Sequence, residues 1–138
     1  MLDPLQSSMR VAGAGLRAQA VRIQIVSENI ANSHTTAQGP GEDPFRRKTV
    51  TFGDEVSRAD GARYVGVKSI GRDASPFRIV RDPGNPAANE KGEVKMPNVD
   101  PILELSDLRE ANHDYQAGLQ VVKQARDLFS MTVDLLRT

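Results

Sequence analysis

LQSSMRVAGAGLRAQAVRIQIVSENIAN, residues 5–32, is the stretch whose reading decides the fold. Leu5, Met9, Ala12, Leu16, Gln19, Ile23, Val26 and Ile30 recur at alternating intervals of four and three, so they share one side of an α-helix. Only Gln19 in that row is polar. Val11, Ala14, Ala18, Val21 and Ile25 repeat the spacing and, at about 100° per residue, come out on nearly the opposite side. A helix with two apolar rows asks to be covered twice. The C-terminal part of the chain can supply one cover, and the second would most simply come from another molecule. Asp3 is the expected N-cap, with Pro4 at the first helical position and Gln6 as its capping-box partner. Gly13 and Gly15 each cost about 1 kcal/mol relative to Ala in a helix interior. They leave an isolated helix poorly populated in water. Either they are tolerated flexibility or they permit close helix approach in an assembly.

The composition narrows what such a helix can serve. At 138 residues the chain is the size of one domain, and with no Trp and 4% aromatic residues its core must be thin. Eighteen basic and eighteen acidic side chains cancel, which argues against the positive field that nucleic-acid binding needs. The absence of cysteine excludes disulfides and thiolate metal sites. No apolar run approaches the roughly 20 residues that span a bilayer, and the start Met1-Leu2-Asp3-Pro4 does not read as a secretory signal.

Beyond the first helix, Ser33 to Glu42 is polar and contains Gly39, Pro40 and Gly41, marking a turn. The period then changes. Phe45 to Phe52, Tyr64 to Ile70 and Phe77 to Arg81 are short, rich in β-branched and aromatic residues and separated by Gly, Asp and Pro, as antiparallel strands of one small sheet would be. Asp82-Pro83-Gly84-Asn85-Pro86 reads as a turn or extended loop leading to Gly92. After Pro101 the helical period returns through Leu105, Leu108, Ala111, Tyr115, Leu119, Val122, Ala125, Phe129, Val133 and Leu136. The expected fold is mainly α with a small β-rich insert: long N- and C-terminal helices pairing as a coiled coil, with short antiparallel strands between them. The expected segments are 1–36 for the first helix and its end motif, 37–96 for the β-rich and loop region, and 97–138 for the second helix. The β region would hang off the far end of the helix pair.

Candidates for chemistry fail on partners. His34 and His113 are the only histidines, and neither has metal ligands at helical spacing. Ser7, Ser8 and Ser27 lie in a helix with no nearby base. Gly13-Ala14-Gly15 lacks the strand and third glycine of a dinucleotide loop. Glu42 with Asp43 and Asp54 with Glu55 are the only carboxylate pairs for glycan hydrolysis, in no recognisable pocket-forming context. Arg46-Arg47-Lys48 is a basic run in an expected strand, read as edge protection or a solvated face, with contact to an acidic partner as the alternative. Asn29 and Asn32 read as C-terminal helix caps, or else as amides fixing the helix end against a partner chain. No catalytic, metal or cofactor site is expected.

Ser27-Glu28-Asn29-Ile30-Ala31-Asn32, followed by Thr35 and Thr36, resembles the N-terminal signature of the bacterial flagellar axial proteins, the rod and hook family. Asp82 to Pro86, Gly92-Glu93-Val94 and Met96-Pro97-Asn98-Val99-Asp100-Pro101 resemble the stretch before the C-terminal helix of its proximal rod members. Pro44 to Lys48, Ala111, Tyr115-Gln116-Ala117 and Lys123 continue the likeness in order. Glu93 where an aromatic is usual, Gly118 where Asn is common, and the charged stretch Ser106 to Glu110 depart from it. The resemblance implies a non-enzymatic subunit of the basal-body rod, exported without a cleaved signal by the flagellar type III apparatus. It also implies helices that stack with copies and other rod proteins in a hollow polymer in the periplasmic space. The expected assembly interface is Leu5, Met9, Ala12, Leu16, Ile23, Val26 and Ile30, with Val11, Val21 and Ile25, and on the second helix Tyr115, Leu119, Val122 and Phe129. Another rod protein of the family is the nearest competing reading, and a soluble coiled-coil adaptor or chaperone the main one outside it.

Overall fold

The structure, a computed structural model, describes residues 2–137, with side chains from Pro4 onward. Six elements follow in order: α1 Leu2–Ala31, β1 Lys48–Val56, β2 Arg63–Arg72, β3 Arg78–Arg81, β4 Glu93–Met96 and α2 Pro101–Arg137. The two long terminal helices around short antiparallel strand pairs are the expected layout. Asp3 does not stand outside the helix as a cap, because α1 already runs from Leu2; its side chain lies outside the described residues. Asp100 does cap α2. Its Oδ1 accepts the Ile102 and Leu103 amides at 3.0 and 3.5 Å, with Pro101 at the first helical position, where its missing N–H is no loss.

The strands depart from expectation. They form two two-stranded sheets, β1 with β2 and β3 with β4, in place of one three-stranded sheet. β4 had no counterpart in the sequence reading. Only four residues lie between Gly92 and Pro97, and their alternation of exposed Glu93 and Lys95 with buried Val94 and half-buried Met96 is too short to stand out.

The chain groups into two compact units, and each long helix takes part in both. The first unit comprises Met1–Ile23, Thr51–Ser69 and Arg109–Thr138. Within it α1 packs on α2 where Leu16 meets Gly118: a Cβ on Gly118 would lie 2.9 Å from Leu16 Cδ2. Arg22 of α1 reaches Glu110 at 3.0 Å and Asp114 at 3.8 Å. The inward row of α2 runs through Ala111, Tyr115, Gly118, Val122, Ala125 and Phe129, spaced by fours and threes. Leu119, expected on that row, is 46% exposed, because the glycine beside it lets the helices approach closely and takes the inward place. The second apolar row of α1 is not left for another molecule. Ala14, Ala18 and Val21 line a cleft together with Tyr64, Val65 and Val67, so the β1–β2 hairpin lies alongside α1 in this unit and does not hang beyond a helix end.

The hairpin turn is held by its own polar groups. Asp60 accepts the Tyr64 hydroxyl at 2.7 Å and the Ala62 amide at 3.2 Å, Gly61 takes a left-handed φ of 66°, and Arg10 of α1 stands 3.6 Å from Asp60. The second unit comprises Gln24–Val50 and Ile70–Leu108. Its apolar core is small: Ile25, Val26, Val94, Pro97 and Val99. Gly92 is obligatory there, with φ of 74° and room for a Cβ only 3.0 Å from Pro83 Cγ.

Two measurements follow from these contacts. Nothing lies within 4 Å of a Cβ on Gly15, and only the tip of Arg17, at 3.8 Å, near one on Gly13. Gly13→Ala and Gly15→Ala should therefore each stabilise the monomer by about 0.5–1 kcal/mol in urea unfolding. Gly118→Ala gains the same helix preference but forces Leu16 to move, so it should come out about 1–3 kcal/mol less stable than Gly13→Ala or Gly15→Ala. Hydrogen bonds from Tyr64, Ser57 and the Ala62 amide, in that order, hold the Asp60 carboxyl at about 2, from 3.8. A depressed carboxyl stabilises the fold above its unfolded pKa and loses that contribution as pH falls through the folded value. The Asp60 carboxyl resonance should accordingly titrate near 2, together with the Ala62 amide shift, while Tyr64→Phe moves the midpoint upward.

Candidate functional site

Two features stand out, one polar in the second unit and one apolar in the first. The polar one begins with Asn29, which has no exposure at all. Its side chain treats the first residue of β1 as a strand neighbour would: Oδ1 accepts the Lys48 amide and Nδ2 donates to the Lys48 carbonyl, both at 2.9 Å. Nδ2 also donates to Glu104 Oε2 at 3.2 Å. Asn29 is thus neither a helix cap nor a residue held for another chain. Asn32 is the cap, donating to the Glu28 carbonyl at 2.9 Å and accepting from the Thr35 hydroxyl at 3.1 Å.

Glu104 of α2 is a carboxylate with 2% exposure. Burial at that level demands partners. Asn29 serves one oxygen, and Arg47 Nε donates to the other. Arg47 also approaches Asp73 at 3.5 Å, and its amide donates to Asn98 Oδ1 at 2.8 Å. Asn98 Nδ2 then donates to the carbonyls of Asp73 and Ser75 at 3.0 and 3.1 Å. Arg46 donates to those same two carbonyls and stacks over the Phe77 ring, 4.1 Å from its centroid. Lys48 Nζ meets Glu28 at 2.6 Å. The basic run Arg46-Arg47-Lys48 is therefore consumed inside the unit, which overturns its reading as edge protection or a solvated face.

The electrostatics agree. Burial works against the Arg47 cation, but the Glu104 hydrogen bond and the charges of Glu104, Asp73 and Asp107 outweigh it and raise its pKa. Hydrogen bonds from Lys48 and then Gln24 lower Glu28, and those from the Ser75 hydroxyl and amide lower Asp73. Among the described residues no three metal-ligating side chains converge. His34 pairs with Ser33 at 3.0 Å and His113 is exposed. Asp54, Glu55, Glu42 and Asp43 are all exposed, and Asp43 reaches Lys95 at 3.4 Å.

The apolar feature is a cleft of about 490 Å³ lined chiefly by Val11, Ala12, Gly15 and Leu16 of α1, Phe52 and Val65 of the hairpin, and Gly118 and Val121 of α2. Gln19 Oε1 is buried at its wall with no hydrogen-bond partner among the described residues. From Val121 the apolar surface continues along α2 at intervals of seven through Leu128 and Leu135, exposed by 52%, 56% and 77%. Of the expected interface residues, Val26 and Ile25 are buried. Leu5, Met9, Ala12, Leu16, Ile23, Ile30, Val21, Tyr115, Val122 and Phe129 are half-buried, and Val11 and Leu119 exposed. The motif residues Asn29, Pro97 and Val99 are buried, Ile30, Asn32 and Asn98 half-buried, and Ala31 and Asp100 exposed.

Glu104, Arg47 and Lys48 were missed as a group by sequence reasoning. A signal existed: Glu104 sits four residues before Leu108 and seven before Ala111, on the inward row of α2, where a carboxylate must find a cation.

Residues 9–37 match the profile of the flagella basal body rod protein family, and residues 90–135 that of the C-terminal region of flagellar basal body rod FlgEFG proteins. The flagellar basal-body rod protein FlgC of Agrobacterium fabrum is 52% identical over 136 residues, covering 99% of this chain and 98% of that protein. The FlgC of Escherichia coli O6:H1 is 37% identical over 127 residues, covering 91% and 92%. That of Borreliella burgdorferi is 32% identical over 150 residues, covering 96% and 98%.

The polar network can be dissected by substitution. Asn29→Ala leaves both Lys48 backbone groups and one Glu104 oxygen unmet, and urea unfolding should record a loss of about 2–4 kcal/mol. Arg47→Met should cost more than Glu104→Gln, because Glu104 is shut away from water whereas Arg47, with 30% of its side chain exposed, can turn toward solvent. The double variant should recover part of the Arg47→Met loss; strict additivity would mean the pair is not coupled.

Proposed function

The chain belongs to the FlgC family of flagellar basal-body rod proteins, and on that membership we propose that it is a structural subunit of the proximal rod, polymerising through its terminal helices. The observation that carries this reading is the cleft and the row Val121, Leu128 and Leu135 that continues from it. A stripe of large aliphatic side chains at intervals of seven, more than half exposed, is what one helix offers to another in a coiled coil. The cleft beside it is floored by small residues, Ala12, Gly15 and Gly118, which admit close approach of a neighbouring helix. The buried Gln19 oxygen at the wall of the same cleft has no donor among the described residues, and a neighbouring chain can supply one.

On this reading the interface comprises the first row of α1 with Val11, together with Tyr115, Leu119, Val122 and Phe129 on α2, while Val21 and Ile25 of the second row are taken up within the chain, and the neighbours are copies of the chain and other rod proteins. Gly13 and Gly15 of α1 meet nothing closer than the tip of Arg17 among the described residues. They keep α1 marginal in the monomer, and burial against neighbours offsets the entropy of ordering it. Such a chain suits export in extended form through the flagellar type III apparatus without a cleaved signal, with assembly in the periplasmic space. No helix among the described residues is long and apolar enough to cross a membrane. The role asks nothing catalytic of the chain and no nucleic acid.

Amide exchange on the monomer, compared residue by residue with the protein in isolated basal bodies, tests the proposal. Residues 5–30 and 119–136 should gain protection in the particle. Equal protection in both states would sink coupled folding. Leu128→Asp with Leu135→Asp should leave monomer unfolding within about 0.5 kcal/mol, since both are exposed, yet abolish incorporation into the rod. Normal incorporation would show that the stripe is not the interface.

A further inference from the structure

Outside the helices, the second unit carries one strand whose outer edge is bare. All four residues of β3, Arg78-Ile79-Val80-Arg81, are exposed, and no strand pairs with that edge among the described residues. Its register sets Arg78 opposite Met96, Ile79 opposite Lys95, Val80 opposite Val94 and Arg81 opposite Glu93. The ladder continues to Asp82, whose amide donates to the Gly92 carbonyl at 2.9 Å. Antiparallel strands bond their partner at alternate residues. Arg78, Val80 and Asp82 therefore bond inward to β4, and the N–H and C=O groups of Ile79 and Arg81 point outward.

The side chains on the edge say what can fill it. Alternate residues share a face, so Arg78, Val80 and Asp82 lie together, beside Met96 and Val94 of β4. Val94 is fully buried while Val80 next to it is 45% exposed, so the apolar part of this face reaches the edge and stops there. Arg78 and Asp82 flank Val80, and neither makes an ion pair among the described residues; Asp82 accepts only from the Asn85 side chain, at 3.5 Å. A row reading cation, valine, anion is its own complement when reversed. A second copy running antiparallel, with Val80 on the two-fold axis, sets Arg78 of each copy against Asp82 of the other.

The backbone permits that register. It pairs Ile79 of each copy with Arg81 of the other, so the outward groups meet and exchange four hydrogen bonds. Val80 then faces Val80 in a pair without backbone bonds, where side chains approach most closely. Neighbouring two-fold registers do worse. Centring on Arg81 opposes like charges. Centring on Ile79 puts Arg78 against Val80 and Asp82 against Pro76, so both charges lose their partners.

We propose that two copies of the chain join edge to edge along β3, making a four-stranded sheet in the order β4, β3, β3, β4. Four backbone hydrogen bonds and two exposed ion pairs make a weak, reversible contact. The edge shares no residue with the helix cleft, so the contact is independent of assembly through α1 and α2. A two-fold contact closes on itself and adds no third copy. It covers, in chains outside the polymer, an edge that would otherwise be open to any extended segment.

The test uses the isotope-labelled full chain carrying Leu128→Asp and Leu135→Asp, so that the exposed helix stripe does not contribute to association. Between micromolar and millimolar chain, the amides of Ile79 and Arg81 should gain exchange protection, and sedimentation should report a dimer and nothing larger. Arg78→Asp and Asp82→Arg each set like charges opposite one another and should weaken the dimer at least about tenfold. Mixing those two variants in equal amounts should restore it, because each copy then offers the charge the other lacks. An unchanged Val94 methyl shift reports that the sheet remains folded in each variant. Edge amides that stay unprotected at millimolar chain overturn the proposal, as does a dimer indifferent to either charge change or a mixture that fails to associate. Protection found only in isolated basal bodies overturns it too, and assigns the edge to a different protein.

Discussion

A buried carboxylate constrains the second unit more than any apolar contact does. Glu104 projects from the first turns of α2 into a place with almost no access to water, and an uncompensated charge there would be too costly to keep. Its two oxygens are met from different directions, by Asn29 near the end of α1 and by Arg47 just before β1. Asn29 then fixes the start of β1 through both Lys48 backbone groups, and Arg47 leads through Asn98 and Asp73 to the segment before β3. One charge thus ties a helix end, a helix start and two loops into one arrangement. The apolar core beside it, chiefly Ile25, Val26, Val94 and Val99, is small, so directional hydrogen bonding specifies what burial alone could not.

The first unit follows another logic. Here the helices pair through small residues and modest aliphatic contacts, Leu16 over Gly118 and Ala111 and Ala125 on the inward row, while large side chains such as Val121, Leu128 and Leu135 are left outward. Tyr115, Val122 and Phe129 turn inward as well, so the large apolar side chains of α2 are divided between its two faces. The polar network maintains one shape in the unit that carries the family motifs, and the other unit leaves an apolar surface exposed.

Much of this was legible in the residues. The spacing of four and three in residues 5–30 specified α1, and the helical period returning after Pro101 specified α2, because periodicity and proline act over a few residues of local chain. The motifs Asn29 to Asn32 and Pro97 to Asp100 pointed to the family, and they turn out to mark residues of the second unit that hold its elements together. Absence of cysteine excluded disulfides and thiolate metal sites.

What tertiary structure alone decided lies in long-range pairings that no local pattern encodes. The partner of Asn29 is 19 residues away at Lys48 and 75 away at Glu104, and nothing about an asparagine near a helix end separates a cap from a strand anchor. The pairing of β3 with β4 in place of β2, and the hairpin lying on the second row of α1, are likewise choices among edges and faces that are locally equivalent. The row of α2 that turns inward was misread by one residue at Leu119, since an apolar count favours leucine while close helix packing favours Gly118. Local sequence determined which elements form because their causes lie within one or two turns of chain. Which groups those elements bury against each other was decided only when distant segments met and every buried charge and amide had to find a partner.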